Sequence, residues 1–525
     1  MNRITATMLA GLVGLTVAGA PATGARPRIV VGIVVDQLRT DYIEQLQDLF
    51  GTKGFRMLMH DGVYMRDVDF GATGLDANSG AAAVLTGSFP AYTGVPAAMV
   101  YDADLRAMRP ALVMPGAGTA VSNNSFTPEA LRLSTVADEL AVASDGNAAI
   151  YSVAAEPQQA VILAGHAATG AVWINNTSGL WATSSYYGGL PTAAQRANLR
   201  SAMTHRVDTM VWRPLQSTAR IFQEKGRRSP LFNYKYTSSD RDVYRKVTLT
   251  PGGNAAVTDV AIDLLGQMAA DPTRQGMLSV AYTVAPYRYA SGTAEAETTD
   301  VYLRLDAQIG RLIEAVDRTY GRGNAVIWLT STGYSEAAAV EDKRFRMPGG
   351  EFSARRARSL LNSYLTARHG TADYVAAIRN GNVYLDTKAI EGRNLDPLAI
   401  AEEARLFLAR MSGVEQTFTR GDILAGSNAE TRALALGYDP KSGGDVLLLL
   451  APGWSMNEDE TGSVSHAKPM RQVPAMTPSM ILAPGLTAQQ IDTPVDAATL
   501  APTVAGILRI RSPNGARRRP LPLIH

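Results

Sequence analysis

Asp36 closes a continuous apolar and β-branched run, Arg28 to Val35 (RIVVGIVV). That pattern predicts a buried parallel strand with a carboxylate at its C-terminal end. In open α/β sheets this is the end where ligands bind. A second reading of the same residue is an acceptor that caps the next helix or holds nearby amides. Other chemistry-bearing residues are sparse. The chain has no cysteine, which excludes disulfides, a thiolate nucleophile and Cys-ligated zinc. Its histidines are His60, His166, His205, His369, His466 and His525, and no two are close enough to form a local ligand pair. A ligand set assembled from distant carboxylates such as Glu295, Glu297 and Asp342 stays open.

The elements that must position Asp36 follow a strand–helix rhythm. Ala148 to Val153, Met277 to Tyr282, Asn324 to Thr330 and Asp445 to Leu450 are short apolar runs and read as core strands. Gly54 opens a helix that Gly62 ends. From Thr299 to Tyr320, Leu305, Ile309, Leu312, Ile313 and Val316 recur at spacings of three and four, one stripe facing a sheet. Gly321 and Gly323 then stop the helix before the next strand. The fold class is therefore α/β, a doubly wound and mostly parallel sheet flanked by helices. Two stretches interrupt the rhythm and read as cap or crown insertions. The expected divisions are 1–22, an export signal; 23–166, core; 167–250, cap; 251–335, core; 336–440, second insertion; and 441–525, core.

Bulk composition is that of an ordinary globular protein: 525 residues, 46% hydrophobic and 19% charged. A net charge of +2 gives no reason to expect nucleic acid or an acidic membrane as partner. Arg517, Arg518 and Arg519 read as a solvated end. The N-terminus has the form of a signal peptide: Arg3, an apolar stretch from Met8 to Ala20, then Ala20-Pro21-Ala22, with cleavage expected after Ala22. The apolar stretch is shorter than a bilayer span, and no later segment is long and apolar enough to make one. A periplasmic or secreted protein follows.

Landmarks along nearly the whole chain then resemble one family. They are VVDQLRTDY at 34–42, GFRMLMHDGV at 54–63, LTGSFPAYTGV at 85–95 with Tyr101-Asp102, ILAGH at 162–166, TSSYYGGLP at 183–191, TDVYLRLDAQIGRLIEAVD at 299–317, GNAVIWLTSTG at 323–333, NGNVYLD at 380–386 and VDAATLAPTVAGIL at 495–508. Their order and spacing resemble the alkaline phosphatase superfamily, of the bacterial alkaline phosphatase and nucleotide pyrophosphatase/phosphodiesterase type. The resemblance implies two zinc-like ions at the strand ends, held by Asp and His, and a Thr or Ser hydroxyl that attacks phosphorus.

Asp36 matches the first metal-ligand Asp of that pattern. The other positions depart from it. Counting back from Leu85-Thr86-Gly87 puts Ala77 at the nucleophile, followed by Asn78. Asp76 and Ser79 are the substitutes nearest to it, and Thr73 is a register slip away. The next ligand pair falls on Val284 and Arg288, where Arg288 is expected to balance the charge of Asp36. Ser331-Thr332-Gly333 stands in place of Asp-His-Gly. His466-Ala467-Lys468-Pro469 resembles a His-Gly-x-Pro segment, after which the ligand His position falls on Gln472 or Ala475. The Lys-x-Arg element reads Glu156-Pro157-Gln158, and the phosphate-contacting Asn is Ala98.

The resulting expectation is a member without turnover, acting by binding or scaffolding in the cell envelope, with no cofactor. Its cleft would be lined by Ala77, Asn78, Val284, Arg288, Thr332 and Gly333, and its partner would be an unidentified ligand or envelope protein. One alternative is a phosphate or sulfate ester hydrolase with a rebuilt site that uses zinc or another divalent metal. Another is a glycan- or lipid-head-group-binding protein that uses the crown aromatics Trp173, Trp181, Tyr186, Tyr187 and Trp212. The bland reading of those aromatics is packing.

Overall fold

The computed structural model describes residues 26–523, apart from 115, 117–120, 227–230, 291–293, 336–348, 459–467 and 470–474. The export signal, Asp342, His466 and Gln472 lie outside the described residues. All positions of the first strand, Ile29–Asp36 (β1), are buried. Their side chains divide between two cores: Ile29, Val31, Ile33 and Val35 enter one, Val30 and Val34 the other. A strand buried on both faces needs no polar alternation, which is why the run reads as continuously apolar.

The sheet continues with Val63–Met65 (β2), Ala149–Ala154 (β3), Gly170–Ile174 (β4), Trp181–Ala182 (β5), Gly276–Thr283 (β6), Ala325–Ser331 (β7), Ser479–Leu482 (β8) and Gln489–Ile491 (β9). Their order is β9-β2-β8-β7-β1-β6-β3-β4-β5. β1 is parallel to both neighbours, β6 and β7, and the parallel run extends through β3 and β4. β8 is antiparallel to β7 and β2, and β5 to β4. The architecture is an α/β fold with a mixed, mostly parallel central sheet flanked by helices, as the sequence leads one to expect.

Helices cover both faces. Phe55–Asp61 (α1), Pro251–Met268 (α5) and Glu295–Tyr320 (α6) pack on the odd-numbered side of β1. Ala77–Thr86 (α2), Val136–Ala143 (α3), Pro157–Ala164 (α4) and Leu500–Leu508 (α7) pack on the even-numbered side. Leu305, Ile309, Leu312, Ile313 and Val316 of α6 are all buried, so the stripe read from the sequence is its core face. Gly32 sits mid-strand because the Trp328 indole lies across it. A Cβ there would be 2.7 Å from Trp328 Nε1.

Two expected divisions move. β4 and β5 belong to the central sheet, so the first part of the 167–250 segment is core and not cap. The run at 445–450 is not a core strand. Val446–Leu450 lies in a separate sheet, in the order Val375–Arg379, Asn382–Leu385, Val446–Leu450, Val414–Thr419. This sheet shares a core with helices Ala354–His369 and Pro397–Leu408, so the second insertion runs past 440. An unbroken VLLLL run looks fully buried, but its burial alternates, because one face of this sheet is only partly covered.

Candidate functional site

The parallel register brings three strand ends together: Asp36 pairs with Thr283, and Val35 with Ser331. Asp36 is only 8% exposed. Its Oδ1 accepts a hydrogen bond from Thr332 Oγ1 at 3.1 Å, and its Oδ2 one from Thr283 Oγ1 at 3.3 Å. Thr332 Oγ1 in turn accepts from the Gln37 amide at 3.1 Å. Gln37 turns away from the strand with φ 61°, a left-handed conformation that costs a non-glycine residue about 1 kcal/mol or more. The Gln37 amide bond and the Tyr334 hydroxyl, 3.4 Å from its Nε2, hold it there.

These groups are a poor fit to the two metal ions that the resemblance implies. Two of the groups on Asp36 are the neutral hydroxyls of Thr283 and Thr332, where zinc takes thiolate, imidazole or carboxylate. Val284 is 2% exposed and packed in the core. Arg288 is exposed on the segment that follows β6. Among the described residues, no three His, Cys, Asp or Glu side chains stand close enough to hold a metal ion.

The segment that the resemblance places at the nucleophile forms the start of α2. Asp76 is its N-cap: Oδ1 accepts from the amides of Asn78 at 3.0 Å and Ser79 at 2.9 Å. Ser79 Oγ accepts from the Asp76 amide at 2.8 Å and lies 3.0 Å from Asp76 Oδ1, completing a capping box. Both candidate substitutes, Asp76 and Ser79, thus hold a helix start, and Ser79 is fully buried. Ala77 offers a half-buried methyl at the position where the pattern calls for a hydroxyl. The helix is pressed against the strand-end loop at Gly80, where a Cβ would sit 1.9 Å from the Thr332 carbonyl oxygen. Asn78, Val284 and Thr332 are buried, so of the six residues expected to line a cleft only Ala77, Arg288 and Gly333 keep accessible surface.

The positions assigned to phosphate contact are hydrogen-bonded to one another. Asp76 Oδ2 accepts from the Ala98 amide at 2.6 Å. The Ala98 carbonyl accepts from Gln158 Nε2 at 2.9 Å, and Gln158 Oε1 accepts from the Leu112 amide at 3.0 Å. Glu156 Oε1 accepts from Asn176 at 3.4 Å. His166, which closes the ILAGH landmark, is held by Asp138 (Nδ1 to Oδ2, 3.0 Å) and the Leu131 carbonyl (Nε2 to O, 2.8 Å). With acceptors at both ring nitrogens, Asp138 first among them, the imidazole pKa is raised. Burial opposes the Asp138 charge, but hydrogen bonds from His166, Thr135 and Ala167 outweigh it and hold its pKa below the ordinary value.

The crown aromatics mostly pack. Trp173, Trp181, Tyr187 and Trp212 are each at most 5% exposed, and Tyr186 alone of the five is open, at 40%. Trp212 is anchored through Nε1 to Asp300 at 2.8 Å. They form no stacking platform for a sugar. Sequence reasoning missed Thr283 and Gln158 as partners. Thr283 directly follows an apolar run, but which strand end it faces depends on a pairing register that the sequence does not carry. Gln158 is legible in the sequence only as the last residue of the Glu156-Pro157-Gln158 element.

A family model for type I phosphodiesterase / nucleotide pyrophosphatase matches residues 30–469. A protein of Myroides odoratus named calcium-transporting ATPase is 26% identical over 518 residues, 93% of this chain and 93% of that protein. Alkaline phosphatase PafA of Elizabethkingia meningoseptica is 25% identical over 528 residues, 96% of each chain. The solved structure of wild-type alkaline phosphatase PafA is similar in fold, with a TM-score of 0.81 at 23% identity, covering 95% of this chain and 98% of that one.

Proposed function

We infer the function from one premise: this chain belongs to the type I phosphodiesterase / nucleotide pyrophosphatase family and has an alkaline-phosphatase-like fold. Within that family the reading that the site supports best is a binding or scaffolding role without metal-dependent ester hydrolysis. The observation that carries it is the way polar groups at the strand ends engage one another. Asp36 accepts from two hydroxyls, Asp76 from its own helix and the Ala98 amide, and Gln158 bridges Ala98 and Leu112. A metal-activated nucleophile needs a hydroxyl and carboxylate or imidazole ligands with open coordination positions. Ala77 has no hydroxyl, and Val284 has no donor atom. Export to the periplasm or beyond is part of the proposal and rests on the N-terminal segment.

A second reading, a hydrolase of phosphate or sulfate esters with a rebuilt site, is favoured by the comparisons. A relative similar over almost the whole chain is named an alkaline phosphatase. In that case ligands must come from residues beyond the Asp36 cluster, with zinc or another divalent ion as cofactor.

Elemental analysis of the purified mature chain after incubation with zinc, run with phosphomonoester and phosphodiester turnover assays, separates the two. The binding reading expects no stoichiometric metal and no turnover. One or two tightly held ions per chain, with turnover lost on chelation, would overturn it and establish the second.

A further inference from the structure

A cavity of about 380 Å³ lies between the segments around Gly74 and Ala97 and the sheet of the second insertion. Thr73, a register slip away from the nucleophile position, is among its lining residues, and Asp36, Asp76, Ala77 and Thr332 are not. We propose that this cavity is a binding site for a small amphipathic molecule, with an apolar ring body and a polar end that is uncharged or cationic. The proposal does not rest on the reading of the strand ends.

The space opens to solvent past the exposed residues Thr73, Gly74, Met99 and Glu430. A space of this size is in the range of small-molecule sites, roughly 300–1,000 Å³. Loose joining of two units does not account for it, because the wall beside it is tight. The Thr73 amide donates to the Ala433 carbonyl at 3.2 Å, and a Cβ on Gly437 would come within 2.0 Å of the Thr73 carbonyl oxygen.

The lining sets the ligand class. Met99, Val100, Leu434, Leu447 and Leu449 present apolar surface. The polar groups of Tyr384, Tyr438 and Asn382 are already engaged. Tyr384 Oη donates to the Ser442 carbonyl at 3.1 Å, and Tyr438 Oη to the Gly444 carbonyl at 2.6 Å. Asn382 accepts from the Gly444 amide and donates to the Asn380 carbonyl. These residues therefore offer ring and aliphatic faces, and ordered water would find few partners. Among the described residues, Glu430 and Asp439 are the ionic ones of the lining, with no Lys, Arg or His. Asp439 is buried against Arg132 at 3.0 Å, which leaves the exposed Glu430 carboxylate to set the local potential. An anion is disfavoured there, and a hydrogen-bond donor or amine is favoured.

Two fluorescent probes of one skeleton test this with the full mature chain: N-phenyl-1-naphthylamine, which is uncharged, and 8-anilinonaphthalene-1-sulfonate, which adds a sulfonate. The expected result is saturable binding of the uncharged probe at one per chain and binding of the sulfonate at least about tenfold weaker. Ala97→Trp fills the cavity and is expected to weaken the uncharged probe by at least about tenfold. Met99→Trp, at a residue 39% exposed, does the same from the rim should Ala97→Trp fail to fold. Glu430→Lys is expected to close the gap between the probes. Unsaturable binding, equal affinity of the two probes, or binding unchanged in a folded tryptophan variant overturns the proposal.

Discussion

Gly80→Ala sets two effects of opposite sign against each other. Glycine in a helix costs roughly 1 kcal/mol relative to alanine, so propensity alone favours the substitution. The structure opposes it. The new methyl would lie 1.9 Å from the Thr332 carbonyl oxygen, with the carbonyl carbon at 2.8 Å and Cα at 3.0 Å. A carbon–oxygen contact needs about 3.3 Å, so helix α2 and the strand-end loop must part by about 1.4 Å. Both are backbone, and neither can rotate away. Overpacking of this kind costs typically 1–3 kcal/mol, and a parting of that size also removes the hydrogen bond from Thr332 to the Asp36 carboxylate, worth about 1.5–3 kcal/mol. The net expectation is destabilisation by about 1.5–5 kcal/mol. Gly266→Ala is the matched control. It lies in α5, with nothing within 4 Å of the added methyl, and should stabilise by about 0.4–1 kcal/mol. Urea unfolding followed by circular dichroism reads both as shifts of the midpoint at constant slope. If Gly80→Ala shifts the midpoint upward alongside Gly266→Ala, the close approach of α2 to the strand ends is wrong, and with it the account of the site.

The His166–Asp138 pair gives stability a pH window. His166 has a folded pKa raised above its ordinary 6.5, so its contribution is complete below that value and is lost as pH rises through the folded one. Asp138 has a folded pKa held below its ordinary 3.8, so its contribution is present above that value and is lost as pH falls through the folded one. NMR titration of His166 with a midpoint at or below 6.5 would contradict this, and His166→Asn should flatten the alkaline side of the stability profile. Asp300 is fully buried and accepts from Trp212 Nε1, the Leu215 amide, Thr218 Oγ1 and Arg304 Nε, the last at 2.6 Å. Asp300→Ala strands these donors and should cost about 3–5 kcal/mol, and a loss below about 1 kcal/mol in denaturant unfolding would show that they find other partners.

The sequence by itself determined the scaffold. Alternating burial on two faces forces a central parallel strand to be apolar throughout, so Ile29 to Val35 announces its position before any fold is known. The stripe on α6 is legible for the same reason: a helix face that packs on a sheet must repeat at spacings of three and four. That Ala77 carries no hydroxyl and Val284 no donor atom can also be read from residue type alone, because no fold supplies an oxygen that the side chain lacks. What Asp36 does is a different matter. Its two hydroxyl partners are 247 and 296 residues away in the chain, and only the register of β6 and β7 against β1 brings them within 3.3 Å. The run at Val446–Leu450 was misplaced because a local pattern carries no record of which sheet a strand joins. The cavity beside Ala97 depends on two segments more than 300 residues apart in sequence meeting across one wall, as Thr73 and Gly437 do. Pairing and packing over such separations are decided by the tertiary structure, because they depend on which surfaces are left to be covered once each element has formed.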